Sequence, residues 1–406
     1  GLFELMAGLI ILSGLIQSWP VALTLLNLCL ISAIMSLGVN IQWGYAGLLN
    51  VGVMGFAALG GVAGVLVSMP PVANAWAAGG RGVITALVLA LVFIGLIIAA
   101  YRALRRQVVL RNLVIALLSV VGLFATRWFL DPSVNAIEAT DSARTGYLGG
   151  LGLPILLSWV VGGLFAAAGA WLIGKVALGL RSDYLAIATL GISEIIVAVL
   201  KNEDWLTRGV KNVNSIPRPV PYEVDIQNAP WFQQLAQDWG MSIIDVSSVV
   251  VKLSYAGLFL LVLLIVLWLS ERALKSPWGR MMRAIRDNEV SAAAMGKNVT
   301  GRHLQVFVLG AAVIGIAGAM LTTLDGQFTP ASYQPLRFTF LIWVMVIVGG
   351  SGNNWGAVLG GFVVWFFWIQ AEPLGLWLMD LITSGMAADN PLRLHLLKSA
   401  AHMRLM

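Results

Sequence analysis

Long apolar runs alternate with short polar breaks along almost the whole chain. Residues 2 to 41 are apolar nearly throughout and break at Gln17-Ser18-Trp19-Pro20, which predicts two spans of about 18 to 20 residues. A glycine-rich apolar run follows from Gly44 to Ser68, where Gly60 and Gly64 form a small-xxx-small pair for close helix packing. Pro70-Pro71 opens a loop expected to end near Arg81, after which residues 83 to 101 and 112 to 130 read as spans. Further spans are expected over 151 to 174, from the stretch that begins at Arg181 to about Leu200, over 253 to 270 and over 304 to 324. Residues 338 to 348 are only eleven long before Gly349-Gly350-Ser351-Gly352, too short to cross unless part of that turn lies within the membrane. Residues 357 to 370 run on apolar. The pattern is that of an all-α polytopic membrane protein of about 10 to 11 spans, a single transmembrane domain over residues 1–406.

Composition strengthens that reading. The chain is 59% hydrophobic and 11% charged, against about 25% charged in an ordinary soluble domain. Its net charge of +6 does not point to nucleic acid, because the basic residues lie between spans, where they hold loops in the cytoplasm. Arg102, Arg105, Arg106 and Arg111 have no acidic residue among them and mark one such turn. Residues 131 to 150, with Asp131, Glu138 and Asp141 against Arg144, suit the outer side. Residues 201 to 252 hold five basic and six acidic residues and four prolines, which predicts an ordered periplasmic loop. Within it, Trp231 to Trp239 reads as a short interfacial helix; the loop is either a cover or a landing surface for an external partner. The chain opens on Gly1 rather than Met, so its amino terminus is expected to be incomplete. Cys29, the one cysteine, reads as a small buried hydrophobe.

The charge-rich exception is the 271–302 loop, and within it Ser276 to Gly296. Arg280, Arg283 and Arg286 recur every third residue and share a helix face. Asp287 is expected to cap a second short helix, with Glu289 in its first turn, Ala292 to Ala294 propagating it and Gly296 stopping it. A capped helix of two turns, about 12 Å long, suits docking into a groove on another protein; the plainer alternative is a loop held at lipid headgroups by its arginines. Other polar groups fall inside apolar runs. Tyr45 and Asn50 sit among glycines at membrane depth, where broken backbone must be buried in protein or line a cavity. Tyr184, Thr189 and Ser193 accompany Glu194, an intramembrane carboxylate that is either functional or a hydrogen-bonded structural group. No phosphate-binding loop occurs, so the chain is not itself an ATPase. His303, His395 and His402 are expected outside the spans, with no cluster for a metal and no catalytic residues.

Four stretches carry a resemblance: Gly44-Tyr45-Ala46-Gly47-Leu48-Leu49; Arg181-Ser182-Asp183-Tyr184-Leu185-Ala186-Ile187-Ala188-Thr189-Leu190-Gly191 with Glu194; Ser276-Pro277-Trp278-Gly279-Arg280 through Asp287, Glu289 and Gly296; and Gly349-Gly350-Ser351-Gly352 with Trp355-Gly356. In this order they resemble the M-type permease of bacterial branched-chain amino acid ABC importers, over roughly residues 25 to 68 and 175 to 375. The resemblance implies a bacterial inner-membrane permease that does no bond chemistry and holds no cofactor. It also implies a homologous second permease, two cytoplasmic ATPases that bind ATP and Mg, and a periplasmic solute-binding protein. On it, 287–296 is the coupling helix, with Arg286, Asp287, Glu289, Ala293 and Gly296 as contact residues. Tyr45, Asn50, Tyr184, Thr189 and Glu194 are candidates for the translocation path. The chain departs from the family at Ser182, at Thr207 to Val213, and over 69–174, which is longer and holds two extra spans. A final span and basic tail are expected to be missing. Urea or short-amide permeases are the near alternative, and a stand-alone channel or ion-coupled carrier the distant one.

Overall fold

The apolar runs are helices because nothing in a bilayer can satisfy a backbone except its own hydrogen bonds. The computed structural model describes residues 1–141, 145–180, 182–238, 240, 242–384, 390, 394–396 and 398–399. Arg144, Arg181, Trp239 and His402 lie outside them. In chain order the helices are α1 (Leu2–Ile16), α2 (Trp19–Ala46), α3 (Val53–Ser68), α4 (Ala73–Ala103, with a π-helical turn at Trp76–Gly80), α5 (Val108–Thr140), α6 (Ile155–Ala177) and α7 (Ser182–Asn202). Then come α8 (Ile243–Lys275), α9 (Pro277–Asp287), α10 (Glu289–Ala294), α11 (Val299–Asp325), α12 (Pro335–Gly349) and α13 (Asn354–Ile382). Among the described residues, eight helices are long and apolar enough to cross a membrane, and α1, α3 and α12 are shorter apolar helices beside them. The protein is an all-helical, multi-pass membrane protein.

Helices α2, α3, α6 and α11 form the centre. Their contacts depend on small residues: a Cβ on Gly60 of α3 would collide with the Gly315 carbonyl of α11, so these two backbones touch. Phe56 and Phe307 meet edge to face in the same contact, centroids 5.7 Å apart. Of the eight long helices α2 is the most enclosed: 72% of its apolar window is buried, against 11% for α4 and 6% for α5. The α4–α5 hairpin is therefore peripheral. It joins the body at one end, where Ala75, Val83 and Ile137 pack with Leu148 and Trp205.

The loops gather at two ends. At one, the loop over residues 203–242 folds onto the end of α11: Val213–Asn214 pairs antiparallel with Gln327–Phe328, Val213 opposite Phe328. Lys252 of α8 donates to the Pro20 carbonyl, 3.0 Å, at the same end. The other end collects Arg102, Arg105 and Arg106, Lys175, the α8–α11 connection and the 350–353 turn.

Several boundaries differ from the hydropathy reading. Helix begins at Ala73, not after Arg81; α5 continues through Pro132 to Thr140; α8 starts at Ile243, inside the segment expected to be loop; α13 passes Pro373 to Ile382. The reason is length. A 33-residue helix such as α5 or α8 is about 50 Å long, while hydrocarbon is about 30 Å thick, so polar ends extend a helix that hydropathy sees only at its centre. His303 is likewise inside α11 and buried, not in a loop.

Candidate docking helix and the polar latch beneath it

Glu271 and Lys275, one turn apart at the end of α8, form a 3.1 Å ion pair. Ser276 then stops α8 and caps α9, its hydroxyl accepting from the Gly279 amide at 3.3 Å, with Pro277 in the first turn. Along α9, Gly279, Met282 and Ile285 face inward, while Arg280, Arg283 and Arg286 are exposed on the other side, as the spacing predicts. Arg286 is nevertheless committed. Its guanidinium donates to the Gly44 carbonyl at 2.6 Å and to the Asp287 carboxylate at 3.3 Å.

The capping residue of α10 is Asn288, not Asp287. Asp287 is still helical, the last residue of α9, whereas Asn288 is extended (φ −156°, ψ 97°) and its Oδ1 accepts from the Ser291 amide at 2.9 Å. Glu289 lies in the first turn as expected. The other end closes at Gly296, whose φ of +77° lets the Lys297 amide reach back to the Ala292 carbonyl, 3.2 Å. Ala292 is the one buried residue of α10. Val290 and Met295 are 80% and 79% exposed, and Ala293 is exposed with them. A helix capped at both ends thus holds apolar side chains out into water.

Beneath it, polar side chains link five segments. Gly44 and Gly352 lie so close that a Cβ on Gly44 would stand 2.8 Å from the Gly352 Cα. The Gly352 amide donates to Asn40 Oδ1 at 2.8 Å, and Asn40 Nδ2 to Asn354 Oδ1 at 3.1 Å. The Tyr45 hydroxyl donates to that same Asn354 oxygen, and Asn354 Nδ2 to Glu271 at 2.9 Å. Arg286 on α9, the end of α2, the 350–353 turn, the start of α13 and the end of α8 are therefore one connected network. Composition could have flagged Asn40, Glu271 and Asn354 as polar groups bordering apolar runs; which of them pair depends on helix packing.

The five expected path residues divide. Tyr45, Asn50 and Thr189 are buried within this chain. Tyr45 belongs to the latch, while Asn50 and Thr189 hold the broken backbone between α2 and α3. Asn50 donates to Gln42 at 2.8 Å and accepts from the Gly52 amide at 2.8 Å; Thr189 accepts from the Val51 amide at 3.0 Å; Trp343 donates to the Asn50 carbonyl at 2.9 Å. These side chains satisfy the backbone that leaves the helix, the requirement for irregular structure at membrane depth. Tyr184 and Glu194 are on the opposite side of α7 and are exposed. That helix buries Leu185, Thr189, Ser193 and Val197, with Thr189 and Ser193 against α3, and leaves its other face exposed among the described residues. Among the described residues no three histidine, cysteine or acidic side chains group as for a metal ion.

Residues 142–386 match a model of the family described as branched-chain amino acid transport system / permease component. The chain is similar to the high-affinity branched-chain amino acid transport system permease protein LivM of Escherichia coli, 30% identical over 237 residues, covering 56% of this chain and 53% of that protein. It is also similar to the corresponding LivH of Escherichia coli, 26% over 203 residues, 50% and 59% covered. The fructose import permease protein FrcC of Rhizobium meliloti is 24% identical over 301 residues, 71% and 77% covered. The chain spans about half the length of LivM. No solved structure matches it. The family match takes in α6 to α13, with the capped α10 and Glu271, Arg286, Gly352 and Asn354 of the latch, over more than half of the chain: the chain belongs to the branched-chain amino acid transport permease family.

Proposed function

We propose that this chain is the membrane-spanning permease subunit of an ATP-driven importer of amino acids, branched-chain ones first. The observation that carries the reading is α10: a short helix, capped at both ends and set between basic segments, with Val290, Ala293 and Met295 in water. Exposed apolar side chains on a rigid helix suit a groove on a soluble partner. That partner is a cytoplasmic ATPase, one of two that bind ATP and Mg, and the basic end is the cytoplasmic one. The similarity to both LivM and LivH supports a second, homologous permease beside this one. The 203–242 loop at the opposite end is the landing surface for a periplasmic solute-binding protein. Tyr184 and Glu194, on the unpartnered face of α7, line the path or the contact between the two permeases.

Mechanically, ATP draws the ATPases together and α10 moves with them. Arg286 and the latch carry that movement to the glycine-broken ends of α2 and α3 and to the 350–353 turn, elements with few intrahelical hydrogen bonds to lose. The test is reconstitution of the permease pair, ATPases and binding protein in liposomes, with labelled leucine outside. Leucine accumulation that needs ATP and survives collapse of ion gradients is the expected result. Uptake without ATP would convert the reading to a channel or ion-coupled carrier, and uptake of urea but not leucine would move it to the amide importers.

A further inference from the structure

The half of the molecule away from α10 holds a polar feature that the coupling network does not use. A cavity of about 200 Å³ lies between α2, α3, α11, α12 and α13. Its wall is apolar: Leu28, Ile31, Met35, Met54, Phe338 and Ile342. From Leu28 to Met35 is two turns of α2, about 10 Å, so the cavity runs inward from the loop end toward mid-membrane.

Four polar groups of the lining make no side-chain hydrogen bond among the described residues: Asp325, Trp365, Ser332 and Ser32, the last a buried hydroxyl on α2. Asp325, the last residue of α11, is exposed and its carboxylate makes no hydrogen bond or ion pair among the described residues. Trp365 presents a buried indole N–H with no partner. Ser332 is exposed, and its hydroxyl is free of hydrogen bonds among the described residues. Tyr333 is different: its hydroxyl is 2.9 Å from that of Thr322, and burial pushes its phenol above the ordinary value, so it stays neutral and occupied. The uncommitted set is thus one anionic acceptor, one N–H donor and two hydroxyls, three of them at the edge of an apolar chamber and Ser32 on its α2 wall. A buried donor with no partner is rare in proteins and calls for an explanation.

We propose that this cavity is a transient binding site for an aliphatic α-amino acid, with the ammonium group on Asp325, the carboxylate taken by the Trp365 N–H and the Ser332 hydroxyl, and the side chain against the Leu28, Ile31, Met35 and Ile342 wall. The pairing is by charge and shape. A carboxylate alone would take any cation, but a cation with an apolar body fills the chamber behind it. At about 200 Å³ the cavity is far larger than the roughly 10–15 Å³ that a single water needs on the same measure, so it has room for a small solute. The proposal rests on the amino-acid importer reading and adds to it a place within the permease where the solute pauses.

The experiment uses the reconstituted complex in a Cys29→Ala background with Leu28→Cys, and with Met35→Cys as a second reporter should the first lower recovery. The rate of labelling by a small neutral thiol reagent is measured with and without leucine, alongside leucine uptake by the same liposomes. Leucine should slow labelling several-fold at both positions. Asp325→Asn should abolish the protection, Ser332→Ala weaken it, and Asp131→Asn on the peripheral hairpin leave it unchanged. Labelling that leucine does not slow, in a complex that imports leucine, would overturn the site and leave the importer reading standing. Protection that survives Asp325→Asn would overturn the site as drawn. Protection without ATP-driven uptake would support the cavity and count against the importer reading.

Discussion

Arg286→Ala tests whether the α9–α10 segment, proposed to dock, is tied to the membrane core. The Gly44 carbonyl lies in the last turn of α2, and the amide that would ordinarily close on it, Leu48, bonds Gln42 instead at 3.1 Å. Arg286 supplies the missing donor at 2.6 Å, a cation at a helix C-terminus. A hydrogen bond to a charged group is worth about 1.5–3 kcal/mol net. The Arg286 side chain is 37% exposed, so water recovers part of that, leaving about 1 kcal/mol, near the upper end for exposed pairs. One kcal/mol is about fivefold in an opening equilibrium. Hydrogen exchange on the purified permease should therefore show the amides from Gly47 to Gly52 exchanging about fivefold faster in Arg286→Ala, with the centre of α11 unchanged. In the reconstituted complex the same variant should hydrolyse ATP but move less leucine per ATP. Arg286→Lys, which keeps the charge with a shorter fork, should recover part of both effects. Unchanged exchange over 47–52 together with unchanged leucine moved per ATP would refute the latch as a mechanical link.

Three further outcomes are expected. Gly296→Val forces a branched side chain into φ +77°, costing about 1–2 kcal/mol or more, and Glu289→Lys opposes the helix dipole; both should abolish ATP-driven uptake with the permease still in the membrane, and normal uptake by both would remove α10 from the docking role. Cysteines placed at Asn112, Asn214 and Lys297 in a Cys29→Ala background should react with an impermeant reagent in intact cells at Asn214 alone; reaction at Lys297 would invert the orientation. Glu194→Gln should assemble normally and change the uptake rate per complex if the exposed face of α7 borders the path, whereas poor recovery with an unchanged rate would make Glu194 structural.

Hydropathy alone determined that this chain is an all-helical membrane protein, because a run of about 20 apolar residues has few stable alternatives in a bilayer. Local chemistry determined the short helix α10 almost to the residue: Glu289 at the start and the left-handed Gly296 at the end are decided within a few residues of chain. The capping residue was off by one because Asp and Asn compete equally at that position on propensity, and the extended backbone at Asn288 follows from where α9 stops. Helix ends beyond the hydrocarbon were also invisible to hydropathy, as at Ile243 and Thr140. Polar residues in apolar runs were legible as special but not as to kind. Tyr45, Asn50 and Thr189 read as candidates for the path; in the structure they are buried, Tyr45 bonded to Asn354 and Asn50 and Thr189 to the backbone between α2 and α3. Glu194, from the same motif as Thr189, faces outward. Only the tertiary structure could separate them. Whether an intramembrane polar side chain serves the backbone or meets a solute depends on which helix lies against it, and that contact joins residues as far apart in sequence as Asn40 and Gly352 or Gly44 and Arg286.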